Sequence, residues 1–506
     1  MSDAALASAS TPAVRPHAVK RNVLASWIAH AISLGVGFCM MPYVLGILGD
    51  RQYGTWVLIN SFVAYTGVLY LGFGETISRF VATYEAEGRP DRVNEIVSLV
   101  MSIYSLTSVL ALFLAGGLCW FAPVFGGWTG DELVQVRIVI LLLGVNVAVG
   151  LCGSVFGGVL LGLRRFDLER SVGLVSDLIR LALIFVFLRE RWGIVTIAAI
   201  YLTITVFEQC IFLIMAFRVY PTLRIHPKHL KWSVFRECSG FSAMALTSNL
   251  AYSLINTTDS IVIGIMLGAE AIVPYYIALR LTQFIRQPID KVAHICMPTA
   301  GALAVESDPR RLLRFLSTSL GMVLLLIGGM FIGAWFFGGD LIHAWMRTEY
   351  SVTHHILCIL LAVQLIALPC GILRAFLLGA GHIRVPGMLY IMQALLNMGI
   401  CVAMCHWWGI IGVAWGTLIP VVLIELGLLL PYALRTLGLP LRRLWTDVVI
   451  PQLPPLAALA LYSWAVSQQP WSHAGWPALI AITIGGGAVL GSAWLTVRQM
   501  TAWADR

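Results

Sequence analysis

Apolar runs of about 20 residues or more recur along the whole 506-residue chain, and a helix of that length crosses a hydrocarbon core of roughly 30 Å. Fourteen such runs, the first near 22–48 and the last near 475–497, predict an all-α integral membrane protein. A spanning segment must satisfy its own backbone hydrogen bonds, so helices are the available solution for runs of this length. The composition agrees: 11% of residues are charged, against about 25% in an ordinary soluble domain. The mean hydropathy is +0.86.

The first twenty residues, MSDAALASASTPAVRPHAVK, are small, polar and proline-punctuated, and read as a disordered cytoplasmic tail. They lack the short apolar region and cleavage site of a signal peptide. The formal net charge of +8 raises the question of nucleic acid, and the side of the membrane answers it. With the chain starting inside, the outer loops take only Arg51, Arg137, Arg189, Arg191 and Arg347, while the inner loops and tails take most of the other basic residues. That asymmetry predicts both termini in the cytoplasm. The charges are dispersed over many loops and are not interleaved with aromatics on one surface, so nucleic acid is not an expected partner. The ten cysteines fall in or beside apolar runs, where the thiol packs as a small hydrophobe.

The chain also repeats itself. Leu48-Gly49 falls on Leu267-Gly268, and EGRPDRV at 87–93 falls on ESDPRRL at 306–312 at the same offset. LLGLRRF at 160–166 then matches LLGAGHI at 377–383, and RWGIVTIA at 191–198 matches WWGIIGVA at 407–414. Six spans separate equivalent positions, so the two halves should be parallel and related by an axis along the membrane normal, with a substrate site between them. The expected organisation is a tail at 1–20, a six-helix lobe at 21–218, a cytoplasmic linker at 219–238, a second six-helix lobe at 239–436, and two further apolar helices with a short tail at 437–506. The last two spans have no counterpart in the repeat and should face lipid or hold something lipid-like.

One run carries charge where charge is costly. RLTQFIRQPIDKVAH at 280–294 places Arg280, Gln283, Gln287, Asp290, Lys291 and His294 within an arc of roughly 100° on a helix, and Arg286 widens it to roughly 140°. The equivalent stretch of the first half, SFVAYTGVLYLGFGE at 61–75, carries no charge before Glu75, so the fold requires the span without requiring its charges. Burying a central charge costs roughly 2.5–3.5 kcal/mol on insertion scales. Two readings stand side by side: ion pairs such as Arg286 with Asp290, or Lys291 with Asp259, that hold helices together, and a cationic face on a water-filled cavity. Arg280, Arg286, Lys291 and His294 outnumber the single acid of that face, and with Arg180 of the first half they form the candidate anion site. Arginine suits phosphate because its planar fork donates two hydrogen bonds and stays charged. The preceding span adds Asn249, Ser253, Asn256 and Asp259, which with Gln283 and Gln287 form a polar face suited to sugar hydroxyls or to helix association. Asp259, Asp290 and Glu75 are the candidates for ion coupling. Arg374 and Glu425 of the second half are further intramembrane charges that, like Arg180 with Asp177, can either face the cavity or neutralise a neighbour.

The patterns PYVLGILGDRQYGTWVL, NTTDSIVIGIMLGAEAIVPYYIALRL, LLGLRRF and WGI resemble those of the polysaccharide-repeat flippases. These form the Wzx-type branch of the multidrug/oligosaccharidyl-lipid/polysaccharide exporter superfamily. The resemblance covers roughly residues 20–435, and the last two spans resemble those of the fourteen-helix lipid II flippase branch. It implies a non-enzymatic, monomeric carrier in a bacterial inner membrane. Such a carrier moves a prenyl-diphosphate-linked oligosaccharide between leaflets by alternating access, with membrane lipid and a polysaccharide polymerase as partners. No nucleotide loop of the form G-x-x-x-x-G-K-[ST] occurs, and neither a cofactor nor a metal is expected. The alternatives are an exporter of soluble cationic compounds from the same superfamily, and a membrane glycosyltransferase or polymerase.

Overall fold

Among the described residues the apolar runs are helical, two pairs of them merged into single long stretches, and the breaks fall at glycine, proline and polar clusters. The computed structural model describes residues 16–189, 192–305, 309–348, 350–438 and 440–504. The expected tail therefore lies outside the described residues up to residue 15, and from Pro16 the chain is helical. The first stretch contains α1 (Pro16–Ala64), a 3₁₀ segment Tyr65–Tyr70, α2 (Phe73–Ala86), α3 (Pro90–Gly126), α4 (Gly130–Gly162), α5 (Phe166–Phe187) and α6 (Gly193–Val219). After the linker come α7 (Trp232–Leu267), α8 (Ile272–Val305), α9 (Pro309–Met346), α10 (Ser351–Gly379) and α11 (Arg384–Val421). A π-helical segment Val422–Leu429 leads into α12 (Leu430–Thr436), followed by α13 (Leu441–Arg443), α14 (Leu453–Ser467) and α15 (Trp476–Ala504).

Among the described residues, 10 helical stretches are long and apolar enough to cross a membrane. Two of them, Ile32–Ala86 with 55 residues and Arg384–Thr436 with 53, are longer than any single crossing requires. Each contains a glycine in a backbone conformation that interrupts a helix: Gly49 at φ 70, ψ 172 and Gly409 at φ 59, ψ −140. Only glycine takes such angles without strain. At Gly409 the chain reverses, because Cys401 Sγ reaches the Val413 carbonyl at 3.6 Å and a Cβ on Gly416 would stand 2.7 Å from Cys401 Cα. The richer charge of α5 and α8 keeps them outside the ten.

Two of the four sequence matches fall on turns of the same kind. At the end of α4, Leu163, Arg164 and Arg165 donate backbone hydrogen bonds to Val159, Leu161 and Leu160. At the end of α10, Ala380, Gly381 and His382 donate in the same pattern to Phe376, Leu378 and Leu377. The left-handed position is Arg164 (φ 60) in the first copy and Gly381 (φ 88) in the second. Gly49 and its counterpart Gly268 (φ 94) also share positive φ. In the turn after α4, Arg165 forks Asp167 at 3.1 Å through both Nε and Nη2 and holds that carboxyl below its ordinary range.

The contacts divide the chain into two compact units. One comprises the described residues up to Leu48 with Leu69–Ala122 and Trp128–Leu246, and the other comprises Gly49–Val68, Pro123–Gly127 and Thr247 onward. In the first unit, Phe73, Ile77 and Val81 of α2, Ile96 and Val100 of α3, and Val155 and Val159 of α4 form a buried core. Glycines let α4 approach closely: a Cβ on Gly158 would stand 2.2 Å from Ile77 Cγ2. The linker is strapped to α3 in this unit. Buried Asn94 donates to the Thr222 carbonyl at 3.2 Å and accepts from Arg224 N–H at 2.8 Å, and Lys231 Nζ meets buried Glu95 at 2.5 Å.

In the second unit, α8 and α10 meet backbone to backbone. A Cβ on Gly379 would stand 2.5 Å from the Met297 carbonyl oxygen and 3.0 Å from Gly301 N. The C-terminal helices pack on α9 through a similar notch, with Gly328 facing Leu456 and Gly329 facing Leu459 and Leu490. Near the turn before α15, His473 Nδ1 lies 2.9 Å from Asp340 Oδ1 of α9.

Candidate functional site

The close contact between α8 and α10 and the reversal at Gly409 leave a cavity of about 600 Å³ inside the second unit, lined by α7, α8, α10, both arms of α11 and the π segment. Its apolar lining includes Ile255, Leu279, Leu360 and Val421. Its polar lining falls into three groups.

The first group joins α7 to α8. Arg286 Nε donates to Asp290 Oδ2 at 2.8 Å, Arg286 Nη1 donates to Asn256 Oδ1 at 3.1 Å, and the guanidinium lies 5.8 Å from the Tyr252 ring centroid. Asp290 stands at the rim with 41% of its side chain exposed. The second group joins α10 to the π segment: Arg374 Nη2 meets Glu425 Oε1 at 2.5 Å, and the same guanidinium lies 4.8 Å from the Tyr390 ring centroid. The helix opens at Glu425 one turn beyond Pro420, whose ring and missing N–H disturb the regular ladder. The third group surrounds Asp259, which is buried. Tyr275 donates to its Oδ2 at 2.5 Å, Thr417 to the same oxygen at 3.0 Å, and Cys401 Sγ to Oδ1 at 3.4 Å, while Asn397 Nδ2 bonds Thr417 Oγ1 at 3.3 Å.

Among the described lining residues the charged groups are therefore mixed in sign: Arg286 and Arg374 face Asp259, Asp290 and Glu425. Four buried polar atoms of this lining have no hydrogen-bond partner, namely Arg374 Nε, Glu425 Oε2, Gln393 Oε1 and Asn397 Oδ1.

The residues expected from the sequence are distributed as follows. Arg286, Asp290, Asn256 and Asp259 come together at this cavity. Arg280 instead donates to Gln283 Oε1 at 3.2 Å and to the Tyr276 hydroxyl, and its guanidinium lies 4.9 Å from the Tyr276 ring centroid. Gln283 and Gln287 are half-buried, Ser253 is half-buried and Asn249 is exposed, and none of these four lines the cavity. The side chains of Lys291 and His294 lie outside the described residues. Arg180 belongs to the other unit, where it meets Asp177 at 2.9 Å and sits 4.9 Å from the Tyr201 ring centroid. Glu75 is exposed on α2, and Arg79 lies over the Phe241 ring at 4.5 Å. The reading of Arg286 with Asp290 as an ion pair and the reading of Arg286 as a cavity group both describe the same side chain. Tyr252, Arg374, Tyr390, Gln393, Asn397, Thr417 and Glu425 were not among the expected site residues. Three of them carry a sequence signal: Arg374 and Glu425 as charges inside apolar runs, and Tyr252 as a neighbour of the polar face of α7.

The family model for polysaccharide biosynthesis proteins matches residues 19–292. A search of curated proteins finds no significant relative. Among solved structures, an inward-facing multidrug resistance MATE family transporter of the MOP superfamily is 14% identical, with a TM-score of 0.67 over 80% of this chain and 94% of that one. The lipid II flippase MurJ in an inward closed conformation is also 14% identical, with a TM-score of 0.63 over 94% of this chain and 98% of that one. An outward-facing MATE transporter gives a TM-score of 0.57 at 15% identity over 80% of this chain and 92% of that one. Identities at this level establish the fold. The chain belongs to the polysaccharide biosynthesis protein family, and it has the fold shared by the transporters and flippases of the MOP superfamily.

Proposed function

We propose that the protein is a flippase that carries a prenyl-diphosphate-linked oligosaccharide across a bacterial inner membrane by alternating access. The observation that carries this reading is the cavity of the second unit, where Arg286 and Arg374 stand among amides and tyrosines in a chain of the polysaccharide biosynthesis family. Arginine offers the diphosphate a forked donor, and the amides with the tyrosine hydroxyls and rings suit sugar. Arg280, Lys291, His294 and Arg180 are proposed as further cationic contacts along the route of the cargo, with Asn249, Ser253, Gln283 and Gln287 as polar ones. Asp259 is proposed as the coupling-ion group, because three donors converge on a carboxylate inside the bilayer. Asp290 and Glu75 are the other coupling candidates. Fourteen crossings follow if Gly49 and Gly409 each separate two spans and if α5 and α8 also cross. Both termini are then cytoplasmic, and the lobes at 21–218 and 239–436 are joined by the linker at 219–238.

A soluble cationic cargo is the second reading, favoured by the three carboxylates of the lining. The two extra spans separate the readings. A methylene removed from water contributes about 0.8 kcal/mol, so a long prenyl chain lying along residues 447–497 adds affinity that a head group alone cannot. Transport is to be compared for matched head groups on short and long prenyl chains, in the intact protein and in a truncation after Leu441. The flippase reading expects the long chain to be favoured in the intact protein and the preference to be lost in the truncation. Equal rates for both chains in both stably inserted proteins, with uptake of soluble cations, would establish the second reading instead.

A further inference from the structure

One wall of the cavity is made of acceptors. Gln393 Oε1, Asn397 Oδ1 and Glu425 Oε2 are buried without a hydrogen-bond partner among the described residues, and the three residues are 5%, 2% and 2% exposed. All three line the cavity. Gln393 and Asn397 lie one turn apart on the first arm of α11 and continue the stripe begun by Tyr390, so a single helix face brings them there. The orientation of Asn397 is set by its neighbours. Thr417 gives its one hydroxyl proton to Asp259 Oδ2 or to the Val413 carbonyl, 3.0 and 3.3 Å away, so the Thr417 oxygen accepts from Asn397 Nδ2 at 3.3 Å. The amide oxygen of Asn397 is thereby left as the spare atom. Against these three acceptors, Arg374 Nε is the one buried donor without a partner among the described lining atoms.

A buried acceptor without a donor costs stability, and an apolar side chain of the same shape would not carry that cost. The wall therefore calls for hydrogen bonds donated by a ligand. An ionised phosphate cannot donate them and a prenyl chain has no polar hydrogen, whereas a sugar hydroxyl or acylamino N–H can.

We propose that Gln393, Asn397 and Glu425 form the sugar subsite of the cavity and select the sugar by the donors it presents. Hydroxyl or acylamino N–H groups meet α11 and the π segment, while the diphosphate lies on the α8 side at Arg286. The subsite rests on the flippase reading of the same cavity and adds to it a direction for the cargo and a chemical rule for its sugar. The terminal torsion of a glutamine side chain is soft, so a small turn of Gln393 carries Oε1 to the donor without moving the helix. A sugar lacking the donor leaves the acceptor buried and unpaired, and a site of this kind rejects such an analogue more strongly than an apolar pocket rejects an extra methylene.

The test uses the purified full chain in liposomes with a fluorescent prenyl-diphosphate oligosaccharide as the transported lipid. Unlabelled copies of that lipid compete, either intact, singly deoxygenated or singly O-methylated in the sugar. Deoxygenation removes the whole hydroxyl, and the methyl ether keeps the oxygen without the donor. At one or more sugar positions both changes are expected to weaken competition about tenfold. Gln393→Met is expected to reduce the discrimination at one of these positions to within about threefold, with a thermal midpoint no lower than that of wild type, because an apolar isostere replaces an unpaired acceptor. Equal competition by all the copies would overturn the subsite while leaving the flippase reading intact. So would weakening by the methyl ethers alone, which is a steric effect, or full discrimination by Gln393→Met. A lower thermal midpoint for Gln393→Met would assign Gln393 a partner within the protein and overturn the subsite as well. Failure of the wild-type protein to move the fluorescent lipid would overturn both readings.

Discussion

Arg286→Ala is expected to lower transport by about two orders of magnitude while leaving the protein inserted and folded, because two charge-assisted hydrogen bonds to a phosphate are each worth about 1.5 kcal/mol or more. The neighbourhood explains why the fold should survive. Asp290, the partner left behind, is 41% exposed at the cavity rim and can be solvated, and Asn256 retains its own bond to the Tyr252 carbonyl at 2.7 Å. Arg286→Lys should restore only part of the activity, since a point charge replaces the fork. The measurement is the rate of cargo translocation in liposomes, normalised to inserted protein. Normal transport by correctly inserted Arg286→Ala would assign the pair a packing role only.

Arg374→Ala carries the largest expected effect on stability. Its partner Glu425 is 2% exposed, and stranding one member of a buried pair costs about 3–5 kcal/mol. The double variant Arg374→Ala/Glu425→Gln should recover most of that loss, because the amide needs no counter-ion. Thermal unfolding in detergent, read as an apparent midpoint at a fixed scan rate, gives the order of the variants. Wild type and Glu425→Gln should lie highest, the double variant next and Arg374→Ala lowest. A double variant no more stable than Arg374→Ala would mean that the guanidinium supports the fold through its contact with Tyr390 and not through its charge.

The contrast between these two pairs also marks what the sequence makes legible. The spans follow from hydropathy alone, since a run of apolar residues in lipid has few alternatives to a helix. The reversal at Gly409 and the turns after α4 and α10 coincide with the WGI and LLG matches: Gly409 and Gly381 take positive φ there, while the turn after α4 places Arg164 at that position. Arg286 with Asp290 was legible because both sit on one helix, four residues apart. Arg374 and Glu425 are 51 residues apart on different elements, and no periodicity links them. The face of α8 was resolved only in part. An arc of 100° covers two neighbouring stripes, and the rotation that turns Arg286 and Asp290 rather than Arg280 and Gln283 toward the cavity depends on packing. The backbone approach of Gly379 to Met297 and Gly301 fixes that rotation, and a repeat of weak motifs cannot specify it. The cluster around Asp259 was hidden for a related reason: Tyr275, Cys401 and Thr417 each read as ordinary residues of an apolar helix until the reversal at Gly409 brings the last two together.

In the proposed function an anionic lipid-linked sugar moves through this protein with Arg286 in contact with its head group. The most direct test is reconstitution of the purified chain in liposomes carrying a fluorescent prenyl-diphosphate oligosaccharide in one leaflet, with appearance in the opposite leaflet read by access to a membrane-impermeant quencher. Translocation is expected for the wild-type protein, a rate about two orders of magnitude lower for Arg286→Ala, and an intermediate rate for Arg286→Lys. Wild-type liposomes that leave the lipid in its original leaflet, while the same preparation transports a soluble cation, would contradict the proposed function.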